Sequence, residues 1–398
     1  MLHGSAAWGH GDAGPDKKYG GVSRMRFLCA FFLYSLIAFA TMTAAFGAEC
    51  RTPKVLMSLP DRADDPFWGP YARFAEAVAE SLNVELTVDY SIANDRSNYR
   101  DRLQAALSGR SKPDYVAVFP YFGAVETLME ESAAHGVSII TLNSDLGAGD
   151  RKAVGYPRER YKNWILQSLA DDENAGFKLA QVVARAGRER FKLAERDTVS
   201  ITALGGNQLA GASLYRRDGL ERFVRMSGGA AAINQFVFTD WSYERGKEVA
   251  VGLIRRYPNT QGVWAANLPL GLAVADALNA LAPNHRLPAI GMVSGPFDDR
   301  ALDGIDEGKF AAVVGGHFLE GGIVLALLLD HFNGLDFVDD MGTALRVPFK
   351  TADRKNVAEL RAVMGDRNWL GMPFRHLSKC YNGGLDYYDF NLDTIFRH

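Results

Sequence analysis

The sequence predicts an α/β protein made of two doubly wound parallel sheets in tandem, on the strength of three observations. Short β-rich apolar runs alternate with longer segments of helical period from Lys54 onward, and the alternation restarts past residue 170. The chain has 398 residues, 47% apolar and 23% charged, a globular composition with length enough for two domains. No long Pro/Ser linker separates the halves, so two lobes meeting across a short hinge are expected.

The elements follow in order. Val55 to Leu59 reads as a strand, and Phe67 to Leu82 as a helix because Phe74, Ala77, Val78 and Leu82 recur at helical spacing. Val84 to Tyr90 (strand), Arg100 to Leu107 (helix), Tyr115 to Phe119 (strand), Ala124 to Ala134 (helix) and Val137 to Leu142 (strand) complete the first half. The second half runs Glu173 to Ala186 (helix), Val199 to Leu204 (strand), Tyr215 to Met226 (helix), Phe236 to Phe238 (strand) and Glu244 to Arg256 (helix). It continues with strands at Val263 to Ala266, Ala289 to Met292 and Phe310 to Val314, and with helices at Leu272 to Leu281 and Glu320 to Phe332. Strand then helix, repeated, implies right-handed crossovers and parallel pairing. The tail from Phe374 carries Tyr381, Tyr387, Tyr388 and Phe390 and is expected to pack.

The first 48 residues read differently. Arg24 and Arg26 precede a charge-free apolar run from Phe27 to Phe46, and Ala45-Phe46-Gly47 fits the small-x-small rule for cleavage. A secretory signal peptide is expected, with Met25 a candidate start; an uncleaved anchor is the alternative. A cut following Ala48 leaves 350 residues and a net charge of −5, against −3 for the whole chain. That balance argues against a nucleic-acid partner, which would require a positive field. The exported chain keeps Cys50 and Cys380, one near each end. An oxidising compartment favours a disulfide between them over two free thiols, worth about 5 kcal/mol at most on the chain-entropy model.

In open parallel sheets, ligands sit beyond the carboxyl ends of the strands. The segments there are Pro60 to Trp68, Asn143-Ser144-Asp145, Gly205-Gly206-Asn207, Asp240-Trp241, Asn267, Ser294-Gly295 and Gly315-Gly316-His317-Phe318. Indoles, amides, carboxylates and guanidinium suit a polyhydroxylated small molecule: rings stack on the C–H face of a sugar, and planar polar groups pair with vicinal hydroxyls. No Gly-x-Ser-x-Gly, His-Glu-x-x-His or phosphate-loop Lys-Ser/Thr occurs, so neither catalysis nor a cofactor is expected.

Several stretches together resemble the type I periplasmic solute-binding proteins, the ribose-binding class and its branch related to the autoinducer-2 receptor. They are Asp64-Asp65-Pro66-Phe67-Trp68, Gly155 to Trp164, Asp172-Glu173-Asn174-Ala175-Gly176, Arg216-Arg217-Asp218-Gly219-Leu220, Trp264-Ala265-Ala266-Asn267 and Gly315-Gly316-His317-Phe318. The resemblance spans nearly the whole exported chain. It implies two lobes joined by a three-strand hinge and closing on ligand: residues 50–170 with about 317–343 as the first lobe, and 171–316 with about 344–373 as the second, before the 374–398 tail. It further implies ligand-binding roles for Asp65, Phe67, Trp68, Asn143, Arg216, Trp241 and Asn267, and places His317 at the last crossover. Leu268, Val293 and Gly316 depart from the polar residues of the ribose pattern, which points to another sugar or a smaller polyol.

Structural readings stand beside each role. Asp65 fits a helix N-cap with Pro66 at the first position, Asn143 and Asn267 fit turns, Trp68 fits core packing, and Arg216 fits a surface charge cluster with Arg217 and Asp218. His317 and Glu320 have His-x-x-Glu spacing but lack the further ligands that a metal needs, leaving pocket lining or packing for His317. The expected function is periplasmic capture of a sugar-like solute for the membrane subunits of an ABC importer. A sensory subunit presenting its closed form to a membrane kinase or chemoreceptor is the alternative, and an exported enzyme is a third class. A monomer is expected.

Overall fold

The structure, a computed structural model, describes residues 49–90, 96–121, 123–281, 286–364 and 368–397; the expected signal peptide and start site lie outside them. In chain order the strands are β1 (Lys54–Leu59), β2 (Glu85–Tyr90), β3 (Tyr115–Val118), β4 (Ser138–Thr141), β5 (Trp164–Ala170), β6 (Val199–Gly205), β7 (Ala231–Phe238), β8 (Gly262–Ala265), β9 (Ala289–Val293), β10 (Phe310–Gly315), β11 (Ala344–Val347) and β12 (Lys350–Ala352). They form two six-stranded sheets, ordered β11-β5-β4-β3-β1-β2 and β12-β10-β9-β8-β6-β7. Every pairing is parallel except β10 with β12. Register in the first sheet sets Val55 opposite both Leu86 and Tyr115.

Helices on both faces explain the strand composition. β3, β5 and β8 are buried along their whole length, as continuous apolar strands in a covered parallel sheet must be. The edge strands β2 and β7 are only partly buried and admit Thr87, Asp89, Asn234 and Gln235. That polarity shortened the expected strand at Phe236 to Phe238, which in fact begins at Ala231. β5 escaped the periodicity reading because Gln167 and Ser168 interrupt its apolar run; both are buried.

The chain crosses between the sheets three times. It leaves β5 for the helix Asp172–Phe191, which packs on β9 and β10. It returns after β10 through His317 to the helix Glu320–Phe332 against Trp68–Leu82, and it passes from β11 to β12 across residues 348–349. The third crossing corrects the boundary expected at residue 344, since Ala344–Val347 pairs with β5 in the first sheet and the second lobe resumes only at Lys350. Nothing in a four-residue strand tells which sheet edge it will join.

The aromatic tail packs on the first lobe. Phe374 and Phe396 lie 5.4 and 5.9 Å from Phe74, and Trp369 lies 5.4 Å from it. Each such buried ring contributes about 1.5–3 kcal/mol of transfer free energy. Buried Asp330 gathers the tail by accepting from Ser378 Oγ, the N–H groups of Lys379 and Cys380, and Tyr388 Oη. Cys50 and Cys380 are joined in a disulfide that ties this tail to the start of β1.

Candidate functional site

The strand ends of both sheets converge on one cleft of about 750 Å³. All eight residues singled out in the sequence line it: Asp65, Phe67, Trp68 and Asn143 from the first lobe, Arg216, Trp241 and Asn267 from the second, and His317 at a crossing between them.

On the first lobe, Asp65 organises the entry to Trp68–Leu82. Its backbone carbonyl accepts the Gly69 N–H, and its Oδ1 takes the N–H groups of Phe67 at 2.8 Å and Trp68 at 2.7 Å, the work of an N-cap. Burial raises its carboxyl, against the lowering effect of those two N–H groups. The cap aims two rings at the cleft. Trp68 meets Phe67 edge to face at 4.8 Å and Phe119 at 5.8 Å, and Phe119 meets Tyr121 at 5.4 Å. Phe119 and Tyr121 also line the cleft and were missed in the sequence, although the strand-end rule applied to β3 would have found them.

Asn143 follows β4 at φ 64°, a left-handed conformation that asparagine tolerates. Its N–H donates to Glu320 Oε1 at 2.9 Å, while Tyr71 Oη donates to Oε2 at 3.2 Å. Glu320 is fully buried, and burial pushes its carboxyl up to about 7 against these donors. Its carboxylate thus serves the cleft floor rather than pairing with His317. The His317 ring stacks between Phe67 at 4.8 Å and Phe349 at 4.4 Å. Burial first, and the Arg216 charge second, hold it well below the usual imidazole range, so it is neutral. Its Nδ1 has no partner within the protein.

On the second lobe, the two Gly-containing motifs explain one another. A Cβ on Gly176 would overlap the Arg216 backbone carbonyl, and one on Gly219 would overlap that of Glu173. Glycine at both lets the helices Asp172–Phe191 and Gly211–Met226 pack backbone to backbone. This places Arg216 Nε 2.7 Å from Asp172 Oδ1 and Nη1 2.7 Å from the Ala266 carbonyl. Arg216 is 6% exposed, so the surface-cluster reading fits its neighbour instead, where Arg217 pairs with Asp218. Burial raises the Asp172 carboxyl and Arg216 opposes it; at this separation the two form an ion pair.

Trp241 lies 5.8 Å from the Arg216 guanidinium and adopts φ 73°. Its carbonyl accepts from Asn267 Nδ2 at 2.9 Å, and Asn267 Oδ1 accepts the Leu270 N–H at 3.0 Å. Asn267 therefore positions the indole and starts the helix Leu268–Leu281. The indole lies flat on Gly206, where any Cβ would overlap it.

A second inter-lobe feature sits beside the cleft. Asp145 accepts from Arg151, Gln167 and the Leu146 N–H on its own lobe, and its Oδ2 accepts from Tyr215 Oη of the other at 2.9 Å. Burial works to raise this carboxyl, but the bonds from Gln167, Arg151 and Tyr215 outweigh it and hold it low.

The model of the periplasmic binding protein domain matches residues 55–336. The chain belongs to the periplasmic binding protein family. This binding protein is 23% identical over 288 residues to the D-allose-binding periplasmic protein of Escherichia coli K12, covering 71% of this chain and 84% of that one. A periplasmic sugar-binding protein from Pseudomonas fluorescens superposes with a TM-score of 0.73 at 26% identity, covering 87% of this chain and all of that one. An ABC-transporter periplasmic solute-binding protein from Actinobacillus succinogenes, solved with bound D-allose, superposes with a TM-score of 0.65 at 16% identity, covering 77% of this chain and all of that one. Two lobes of parallel-dominated sheet with three crossings are the type I form of this family.

Proposed function

We propose that this binding protein captures an uncharged, hydroxyl-rich small molecule, a sugar or polyol, between its lobes in the periplasm and delivers it to the membrane subunits of an ABC importer. The observation that carries the reading is the pair of indoles, Trp68 and Trp241, supplied by opposite lobes to one cleft together with Arg216, Asn143 and the unpartnered nitrogen of His317. Arg216 is the one cationic side chain among the described lining residues, and Asp172 already neutralises it, while Asp61, Asp65 and Asp240 add negative charge. Anionic ligands are thereby disfavoured. Micromolar capture requires about −8 kcal/mol. Stacking supplies part, and polar bonds made out of water once the lobes shut supply the rest. Relatives named for binding allose lend support.

A thermal-shift screen over pentoses, hexoses, polyols and inositols tests the capture step. At least one compound is expected to raise the melting temperature, and Trp241→Ala, folded by circular dichroism, is expected to lose that response. No response from any compound, or an equal response in the variant, overturns the reading. Delivery is tested by uptake of the identified compound in cells lacking the protein, where transport is expected to fall. Arg216→Ala is a poor probe, because it strands buried Asp172 at a cost of about 3–5 kcal/mol.

A further inference from the structure

Beyond the cleft, the second lobe carries a groove of about 390 Å³. Its walls are Asn207, Gln208 and Leu209 after β6, Phe238, Thr239 and Asp240 at the end of β7, and Arg245 on the helix Tyr243–Arg256. Asn207, Leu209 and Asp240 belong to groove and cleft alike, so the two spaces adjoin along these residues. Every wall residue comes from one lobe, so closure of the lobes leaves the walls in place relative to one another. Resting on the sugar reading above, we infer that the groove is a second sugar subsite and that the ligand is a disaccharide, one unit in the cleft and the other in the groove.

The chemistry of the walls carries this. Leu209 is 71% exposed, and its N–H is pinned by Asn207 Oδ1 at 2.8 Å, so the loop displays an apolar side chain at the junction instead of burying it. Phe238 is half-buried and braced edge to face by Phe236 at 4.9 Å, offering a fixed ring. Asp240 and Arg245 set one carboxylate and one guanidinium around these apolar faces, with Gln208 adding an amide. Such a set fits a pyranose, whose C–H face lies on apolar surface while its hydroxyls meet planar polar groups. Arg245 is already paired with Glu248 on its own helix, so the groove offers no unneutralised cation to an anionic occupant. The cleft, at about 750 Å³, lies within the range of about 300–1,000 Å³ usual for small-molecule sites, and the groove adds space beside it.

Isothermal titration of the full exported chain with glucose, galactose, allose and arabinose, and with maltose, cellobiose, lactose and melibiose, tests the inference. At least one disaccharide is expected to bind tenfold or more tightly than both of its component monosaccharides. The exposed double variant Gln208→Ala with Arg245→Ala is expected to remove most of that gain and to leave monosaccharide affinity unchanged. Monosaccharides binding as tightly as every disaccharide, or a variant that weakens both classes equally or neither, overturns the second subsite while the sugar reading stands. No binding by either class overturns the second subsite, and the sugar reading is then decided by the wider thermal-shift screen.

Discussion

Glu320 shows how one buried residue ties cleft geometry to pH. Its carboxylate supports Asn143 through the backbone N–H and lies against Tyr71 Oη, with no exposure to solvent. Burial raises its carboxyl from 4.5 to about 7, so the folded state prefers the protonated form. The resulting stabilisation is complete below the unfolded value and is lost as pH rises through the folded one. Glu320→Gln mimics the protonated acid and escapes that loss. The melting temperature of the variant minus that of the native protein is expected to grow from pH 4.5 to pH 7 and then level off. Buried His317 titrates with the opposite sign at lower pH, but it is common to both proteins and cancels in the difference. A difference that is flat across pH 4.5 to 8 would sink this account. The sequence had marked Glu320 only as half of a metal-ligand spacing, because its partners Tyr71 and Asn143 lie 249 and 177 positions away.

At the scale of elements, the helix Gly211–Met226 does two jobs from neighbouring residues. Arg216 turns inward to Asp172, and Tyr215 reaches across to Asp145 on the other lobe. Burial and the bond to Asp145 push the Tyr215 hydroxyl up to about 12, so it remains a donor throughout the physiological range. Asp145 keeps three other donors if that bond is lost, which limits the cost of Tyr215→Phe to about 1 kcal/mol. The variant is expected to melt slightly lower and to show a larger radius of gyration by X-ray scattering without ligand, since one tie between the lobes is gone. Identical melting and scattering would remove this bond from any part in holding the lobes. Strand and helix identities were legible wherever the apolar period was clean, as in Glu320–Phe332, found with its bounds unchanged. They were illegible in β5, β11 and β12, where polar residues or short length hide the period.

For the whole molecule, the disulfide between Cys50 and Cys380 closes a loop of 330 positions and fastens a tail whose rings complete the first-lobe core. Replacing both cysteines with serine is expected to lower the unfolding free energy by up to about 5 kcal/mol, read from denaturant midpoints. The chain beginning after Ala48, which lacks Cys29, is expected to show no thiol reactive to alkylation while oxidised. Free thiols in the oxidised protein, or an unchanged midpoint in the variant, would contradict this role.

Alternation of apolar runs is a local property, and the sequence alone determined from it a two-sheet α/β architecture, while strand-end chemistry and the family resemblance pointed to eight residues, all of which line one cleft. Only the tertiary structure decided that Arg216 is neutralised by Asp172, that Asn267 serves the backbone of Trp241, that β11 joins the first sheet, and that a groove adjoins the cleft at Leu209. The physical reason is range. Hydrophobic period and turn chemistry are fixed by neighbours a few residues apart, whereas ion pairs, sheet edges and cavities depend on which distant segments the packed lobes bring together.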